Sequence, residues 1–282
     1  MKVIAKLLPE RDTSNVDMTL SVSKTKTFED CAAKFKFCYI EKLPRIDRDF
    51  HIFGKFLHQV LENFHQDILD ADEKGDSGPR DNWKETLKKA WASAVDEYDG
   101  QMTGKQYKEA QKIVKEYEEI LEEEGLPNVT HAEKAFYINL NDKVLLNGFI
   151  DRIQIDPDGV IHVADYKTTK NPKYLKDFFQ LITYCYALMI EDESLQRVRA
   201  SFILLRHGFD YITEEYTRDQ VIPIAEKFLK QAYKIEEEKV WRPNPQFLCK
   251  YCDYLEFCRK GKSYLISKGI IDEKPQTGIR SW

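Results

Sequence analysis

Apolar side chains recur every three or four residues from Thr27 to Ile40 and again from Phe50 to Leu69, the interval at which a helix turns one face inward. The polar run ADEKGDSGPRD at 71–81 breaks the rhythm and reads as a mobile loop. Helical spacing resumes from Asn82 to Tyr98 and from Lys105 to Glu124, and it stops at Gly125 with Pro127 two residues on, a common way for a helix to end. The first 130 residues are therefore expected to be mainly helical.

The period then shortens. AEKAFYINL, KVLLNGFIDRIQI and VIHVADYKT are successive runs rich in β-branched and aromatic residues. ND at 141–142 and DPDG at 156–159 supply turns between them, which predicts a three-stranded meander. A helix is expected from about Lys173 to Ile190. Two strands follow, RASFILLR and FDYITEEY, joined as a hairpin through HG at 207–208, and then a long helix from Arg218 to Lys239. WRPNPQ ends that helix ahead of a cysteine-rich segment. The order αβββαββα behind a helical region predicts one α/β core rather than two independent domains.

Composition narrows the function classes. A chain of 282 residues, 42% of them hydrophobic, can build a core without disulfides. No run approaches the roughly 20 apolar residues that span a bilayer, so no membrane partner is expected. The opening MKVIAKLLPERDTSN turns polar too early for a secretory signal, and the expected location is the cytoplasm. A formal net charge of −5 rules out a global positive field for nucleic acid. Any such contact must be local, and basic residues do gather at Lys24, Lys26, Lys34 and Lys36, at Lys167, Lys170, Lys173 and Lys176, and around Arg242, Lys250, Arg259 and Lys260.

Candidate chemistry sits on the second and third runs. In a strand alternate side chains share a face, so Asp165 and Lys167 follow Ile161 and Val163 onto one side, and Asp151 lies between Phe149 and Ile153 on its own strand. Buried carboxylates are normally paired with a cation or a metal. A plain Asp–Lys ion pair explains any one of these residues. Hydrolysis of a phosphodiester explains the set: oxygen ligands hold a hard cation, and an ammonium beside it orients water and steadies negative charge.

GFIDRIQI followed by VADYKTTK resembles the signature of the PD-(D/E)XK nucleases, in the form carried by their RecB-like members. The resemblance implies a restriction-endonuclease-like core, a central mixed sheet flanked by helices, preceded by a largely helical N-terminal region. It implies Mg2+ or Mn2+ as cofactor, held by Asp151 and Asp165, with Lys167 catalytic and Glu133 of AEKAF assisting. Gly54 and His58, one turn apart in GKFLH, match the family's GxxxH element, whose histidine is a metal ligand; His51 and His65 are read as incidental. Gln180 and Tyr184 in QLITY match its QxxxY element, thought to contact DNA near the scissile phosphate.

The six cysteines point to metal rather than disulfides, because three of them fall within ten residues of one another. Cys249, Cys252 and Cys258, with Cys31 in SVSKTKTFEDC, resemble the one-plus-three arrangement that holds a [4Fe–4S] cluster in the AddB nuclease domain and in CRISPR-associated RecB-like exonucleases. Four thiolates suit zinc equally well. Cys38 and Cys185 are expected to be free. Read together, the chain is a single nuclease domain with a helical region at 20–130, a core at 131–240 and a cluster-binding segment at 241–262 that closes onto Cys31. Its expected activity is metal-dependent exonuclease cleavage of DNA, single strands preferred, with a helicase or a recombination or adaptation protein as a possible partner. The alternative is a non-catalytic iron–sulfur DNA-binding subunit of a helicase–nuclease or CRISPR adaptation complex.

Overall fold

The computed structural model describes residues 5–8, 16–46, 48–175 and 177–272; Lys176 of the basic stretch and most of the first fifteen residues lie outside them. The first half of the chain forms β1 (Lys6–Leu8), β2 (Met18–Leu20), α1 (Val22–Asp30), α2 (Ala32–Phe35), α3 (Asp49–Glu73), α4 (Gly78–Asp81), α5 (Trp83–Glu97) and α6 (Gly104–Glu124). The second forms β3 (Val129–Asn139), β4 (Val144–Ile155), β5 (Ile161–Lys167), α7 (Phe179–Glu191), β6 (Arg197–Leu204), β7 (Asp210–Thr217), α8 (Arg218–Val221), α9 (Ile224–Glu237) and α10 (Arg259–Ser267). These group into two compact units, one built around residues 47–230 with β1 and β2, the other from residues 23–46 and the chain from 231 onward.

In the first unit the predicted meander is present: β3, β4 and β5 run antiparallel in order. Then β6 lies parallel to β5 and β7 antiparallel to β6. The parallel step is made possible by α7, because two parallel neighbours need a crossover between them. Two short strands complete a seven-stranded mixed sheet, β1 on the edge of β3 and β2 alongside β4; three-residue strands carry too little periodicity to be read from sequence.

Helices cover both faces. On one, α3 buries Phe53, Phe56, Leu57, Val60, Leu61 and Phe64 at helical spacing against α5, α6 and the strand residues Ala164 and Tyr166. Asp165 lies between those two and so points the other way, toward α7, which packs on β5 and β6. This mixed sheet between helical layers is the α/β architecture the sequence predicts.

Three expectations need correction. The stretch 71–81 is not an open loop, since α3 runs on to Glu73 and Gly78–Asp81 forms a helical turn of its own. The helix from Arg218 is broken after Val221 and restarts at Ile224, because Pro223 has no N–H to give and crowds the preceding turn. The helix placed at 27–40 begins at Val22 and is interrupted at Cys31, an extended residue with φ −167°.

That interruption belongs to the second unit, where α1 and α2 meet the C-terminal segment. Trp241 stacks on Phe35 with ring centres 5.9 Å apart and meets Phe28 edge-on. Two short 3-10 turns, Phe247–Tyr251 and Leu255–Phe257, lead into α10. Among the described residues no helix is long and apolar enough to cross a membrane.

Gly148 of β4 pairs with Phe136 of β3, and a Cβ there would come within 2.6 Å of the Phe136 ring. Gly148→Ala should therefore destabilise the first unit by about 1–3 kcal/mol, the usual effect of overpacking. Urea unfolding monitored by circular dichroism checks this, and an unchanged midpoint would show that the ring has room to move.

Candidate active site

The β4–β5 ladder closes at Arg152 and Ala164, while β5 continues along β6 as far as Lys167 and Leu204. Beyond Ala164 the two strands part, and backbone groups of β5 lose their β4 partners. A buried N–H needs an acceptor. For Tyr166 it is the Asp151 side chain, whose Oδ2 accepts the Tyr166 N–H at 2.7 Å. The splayed end of the hairpin thus draws Asp151 toward the strand that carries Asp165 and Lys167.

The other backbone group of Tyr166 is held from α3, where His58 Nε2 lies 3.0 Å from its carbonyl oxygen. Gly54, one turn earlier, lets the helix come this close: a Cβ at that position would sit 3.2 Å from Thr168 Oγ1. A carbonyl can only accept, so Nε2 carries the proton and Nδ1 of the neutral ring presents a lone pair. Nδ1 faces Asp151 Oδ2 at 3.4 Å. Burial lowers the His58 pKa, which keeps the ring neutral. Two lone-pair atoms at that separation are reconciled by a shared proton or a shared cation.

Asp165 and Lys167 belong to a closed ring of contacts with α7. Lys167 Nζ donates to Gln180 Oε1 at 2.9 Å, Gln180 Nε2 donates to Tyr184 Oη at 2.7 Å, and Tyr184 Oη donates to Asp165 Oδ1 at 3.3 Å. The ring closes where Lys167 Nζ lies 2.5 Å from Asp165 Oδ2, an ion pair off the hydrogen-bonding direction, since Oδ2 has no hydrogen-bond partner. Asp165 is 3% exposed and Lys167 25%, so the pair is screened little by solvent. Gln180 and Tyr184 therefore brace the Asp–Lys pair, a role the spacing of QLITY could not reveal.

The field around these groups is negative. Burial, and then the charge of Asp165, push Asp151 well above the usual carboxylate range, against the pull of the Tyr166 N–H and Lys167. Glu133 on β3 is pushed up to about 7, first by burial, then by Asp151 and Glu62. Its backbone has φ +46°, a left-handed conformation disfavoured for a residue with a side chain, beside the irregular register of β3. Glu62, one turn beyond His58, is itself raised by burial and by Glu97.

The structure thus brings His58 to Asp151, and Asp165, Lys167, Gln180 and Tyr184 to one another, with Glu133 within electrostatic reach of both carboxylates. Among the described residues no three His, Cys, Asp or Glu side chains have closed into a cage for a metal ion; Asp165 is turned to Lys167 and Tyr184 instead. The donor set nonetheless fits a hard divalent cation: two carboxyls raised above their ordinary range, a neutral imidazole lone pair and a buried Asp165 oxygen that faces Lys167 without a hydrogen bond. His65 is buried in the helical layer against Tyr117 at 3.0 Å, and His51 lies at the exposed start of α3; neither joins the site.

Sequence reasoning passed over Arg152. It is 2% exposed, it makes no ion pair among the described residues, and it is surrounded by the phenols of Tyr117, Tyr166 and Tyr211. It donates to Tyr211 Oη at 2.8 Å and lies 5.7 Å from the centre of the Tyr166 ring. The bulk of Tyr166 is thereby fixed on the far side of β5 from Asp165. A second polar chain, Asp156–His162–Ser201, has the outline of a nucleophilic triad, with links of 3.0 and 2.7 Å. Ser201 is fully buried and shares its hydroxyl with Thr213, so this chain is a strut within the sheet.

The profile of a family described as the PD-(D/E)XK nuclease superfamily matches residues 19–259. The chain is 30% identical over 161 residues to an ATP-dependent helicase/deoxyribonuclease subunit of Streptococcus pyogenes, covering 53% of this chain and 14% of that protein. It is 26% identical over 207 residues to the subunit of the same name in Streptococcus agalactiae, covering 69% and 18%. It therefore spans less than a fifth of these relatives. A crystal structure from Eubacterium rectale, of a protein provisionally named an exonuclease, superposes with a TM-score of 0.52 at 10% identity over 96% of each chain, a likeness of fold.

The raised carboxyls make stability depend on pH. Glu133 binds a proton in the folded chain that the unfolded chain releases near pH 4.5, so its contribution is present below that pH and is lost as pH rises toward 7. Without metal, Glu133→Gln should gain melting temperature over the parent as pH rises from 5 to 8. Mg2+ should raise the parent's melting temperature more at pH 8 than at pH 5.5. Equal shifts at both values in differential scanning fluorimetry would contradict the cation reading.

Proposed function

Because the chain belongs to the PD-(D/E)XK nuclease superfamily, we propose that it is a divalent-metal-dependent deoxyribonuclease that degrades DNA from an end, with single strands preferred. The observation that carries this reading is the meeting of Asp151 with His58 Nδ1 at the point where β4 leaves β5, beside the buried Asp165–Lys167 pair. Asp151, Asp165 and His58 would hold Mg2+ or Mn2+, with Glu133 adjacent, and the ion would supply Lewis acidity toward the phosphodiester.

The chain's own residues do the rest. Lys167, paired with Asp165 and aimed by Gln180, places an ammonium where negative charge grows on the phosphoryl oxygens. It also orients the water whose oxygen forms the new bond to phosphorus as the bond to the bridging oxygen breaks. The attacking water gives up one proton to solvent, and the leaving oxygen takes one from solvent. Tyr184, whose phenol is pushed well above its ordinary pKa by burial and by the carboxylates, stays protonated and keeps Asp165 oriented. Helices α3 and α7 stand on either side of β5, which favours a flexible strand over a duplex. The relatives' name joins a deoxyribonuclease to an ATP-dependent helicase, and this chain is read as acting in the cytoplasm on strands that such a motor exposes.

We assign Cys31, Cys249, Cys252 and Cys258 to a [4Fe–4S] cluster within the second unit. The support is local. Cys31 Sγ accepts N–H bonds from Lys34 and Asn244 at 3.4 Å, Cys249 Sγ from Gln246 and Cys258 Sγ from Gly261, each at 3.3 Å. Such bonds tune cluster sulfur. A Cβ on Gly261 would lie 3.3 Å from Cys258 Sγ and 3.7 Å from Cys249 Sγ, so glycine keeps space open between two of the thiols. When bound, the cluster would supply a cross-link between residue 31 and the C-terminal segment.

End-labelled linear single strands incubated with Mg2+ or Mn2+ should be shortened progressively, with circular DNA spared. Asp165→Ala and Lys167→Ala should each lower the rate by about 100-fold or more; full activity in either variant sinks the assignment. For the cluster, protein purified without oxygen should carry iron and acid-labile sulfide and absorb visible light, and Cys252→Ser should lose all three. Zinc in place of iron would refute it.

A further inference from the structure

The basic pattern of β5 does not stop where the strand ends. KTTKNPK at 167–173 holds three lysines and no carboxylate. Lys167 is taken up by Asp165 and Gln180. Lys170 and Lys173 are exposed, and among the described residues neither side chain enters an ion pair, a hydrogen bond or a ring contact. The first acid beyond them, Asp177, serves the head of α7, where its Oδ1 accepts the Phe179 N–H at 3.0 Å. Two ammonium groups thus stand unmatched on one short connection of a chain whose net charge is −5.

The backbone beneath them is tied down at several points. Thr168 packs beside α3, its Oγ1 3.2 Å from where a Cβ on Gly54 would stand. His207, in the turn between β6 and β7, holds the Thr169 carbonyl, with Nε2 3.1 Å from that oxygen. Thr169 Oγ1 accepts the Asn171 N–H and Asn171 Oδ1 accepts the Lys173 N–H, both at 3.2 Å. The second of these bonds caps the 3-10 turn Pro172–Tyr174. Pro172 fixes its own φ and keeps Asn171 extended, at φ −134°. The two lysines are therefore carried on a connection of set course while their side chains reach outward.

That course begins at the candidate site. Three residues of chain cover at most about 11 Å, and a nucleic-acid strand carries a charge about every 3.4 Å of helix axis. A strand with one diester at Lys167 therefore has further phosphates within the span that leads to Lys170 and on to Lys173. The groups deeper in the site repel those phosphates: Asp151, Asp165 and Glu133 give a negative field, and the Lys167 ammonium is already shared with Asp165. Cations on the rim offset that repulsion for the flanking strand. Lysine, a compact charge on a flexible stem, holds a phosphate without reading a base.

Resting on the reading of Lys167 as the residue beside the scissile diester, we infer that Lys170 and Lys173 bind the flanking phosphates of the DNA strand. The connection from β5 to α7 is then a positioning strap, which sets the course of the substrate away from the bond that is cut. It contributes affinity and no sequence preference.

Fluorescence anisotropy with labelled oligo-dT and the full chain in excess chelator, where nothing is cut, reads these contacts directly. In the double variant Lys170→Gln, Lys173→Gln the Kd should rise about tenfold, and the slope of log Kd against log salt should fall by about 1.4, two contacts at about 0.7 each. Lys170→Arg with Lys173→Arg should keep the parent's slope. Lys88→Gln with Lys89→Gln, which removes the same charge from the exposed face of α5, should keep it too. With Mn2+, the glutamine variant should raise the KM for oligo-dT about tenfold while kcat stays within about twofold, the mark of binding shared by ground and transition states. A slope unchanged in the glutamine variant, or lowered as much by the α5 variant, would overturn the proposal, as would poly-glutamate displacing oligo-dT at equal charge concentration. A parent that binds oligo-dT and loses slope as expected, yet never shortens it with Mg2+ or Mn2+, would instead overturn the nuclease reading and leave the phosphate contacts standing.

Discussion

Everything in the candidate site hangs on the two backbone groups of Tyr166. Its N–H is taken by Asp151 and its carbonyl by His58, so one residue of β5 joins β4 to α3 at the place where the strands separate. Neither bond is part of a regular ladder. Each exists because a backbone group would otherwise be buried without a partner, and each brings a potential ligand with it. The side chain of the same residue faces the helical layer, where the Arg152 guanidinium lies by its ring. The chemistry on one face of the strand is thus positioned by packing on the other.

Arg152 illustrates how such positioning is achieved with neutral partners. A buried guanidinium is usually matched with a carboxylate, yet here it is surrounded by phenols. A carboxylate in that place would add another negative charge behind Asp151 and Asp165, which already repel one another. Tyrosines give hydrogen-bond acceptors and ring faces without that charge.

Much of this was legible in the chain. Alternation in VIHVADYK placed Asp165 and Lys167 on one face because a strand's geometry leaves no other choice, and the meander followed from turn residues at fixed points. GKFLH gave Gly54 and His58 one turn apart, and both do what that spacing allows. What stayed hidden depends on partners far away in sequence. Arg152 looks like an ordinary outward residue until Tyr117 and Tyr211 are brought to it, and Glu133 owes its placement in part to a left-handed backbone that no local pattern announces. The spacing of Gln180 and Tyr184 is visible in QLITY, but their attachment to Lys167 and Asp165 needs the crossover between β5 and β6. The strands β1 and β2 are too short to carry a pattern, and the break at Pro223 is masked in the sequence by strong helical periodicity on both sides.

The circuit through Lys167, Gln180, Tyr184 and Asp165 has a sense of travel. Every proton in it leans the same way, from the ammonium through the amide and the phenol to the carboxylate, because lysine has nothing to accept with and a carboxylate has nothing to give. Such a chain cannot run backwards, and turning the amide over would only set its N–H groups against the ammonium. The floor of the candidate site is therefore polarised like a small magnet, with a cationic pole and an anionic pole set by covalent identity.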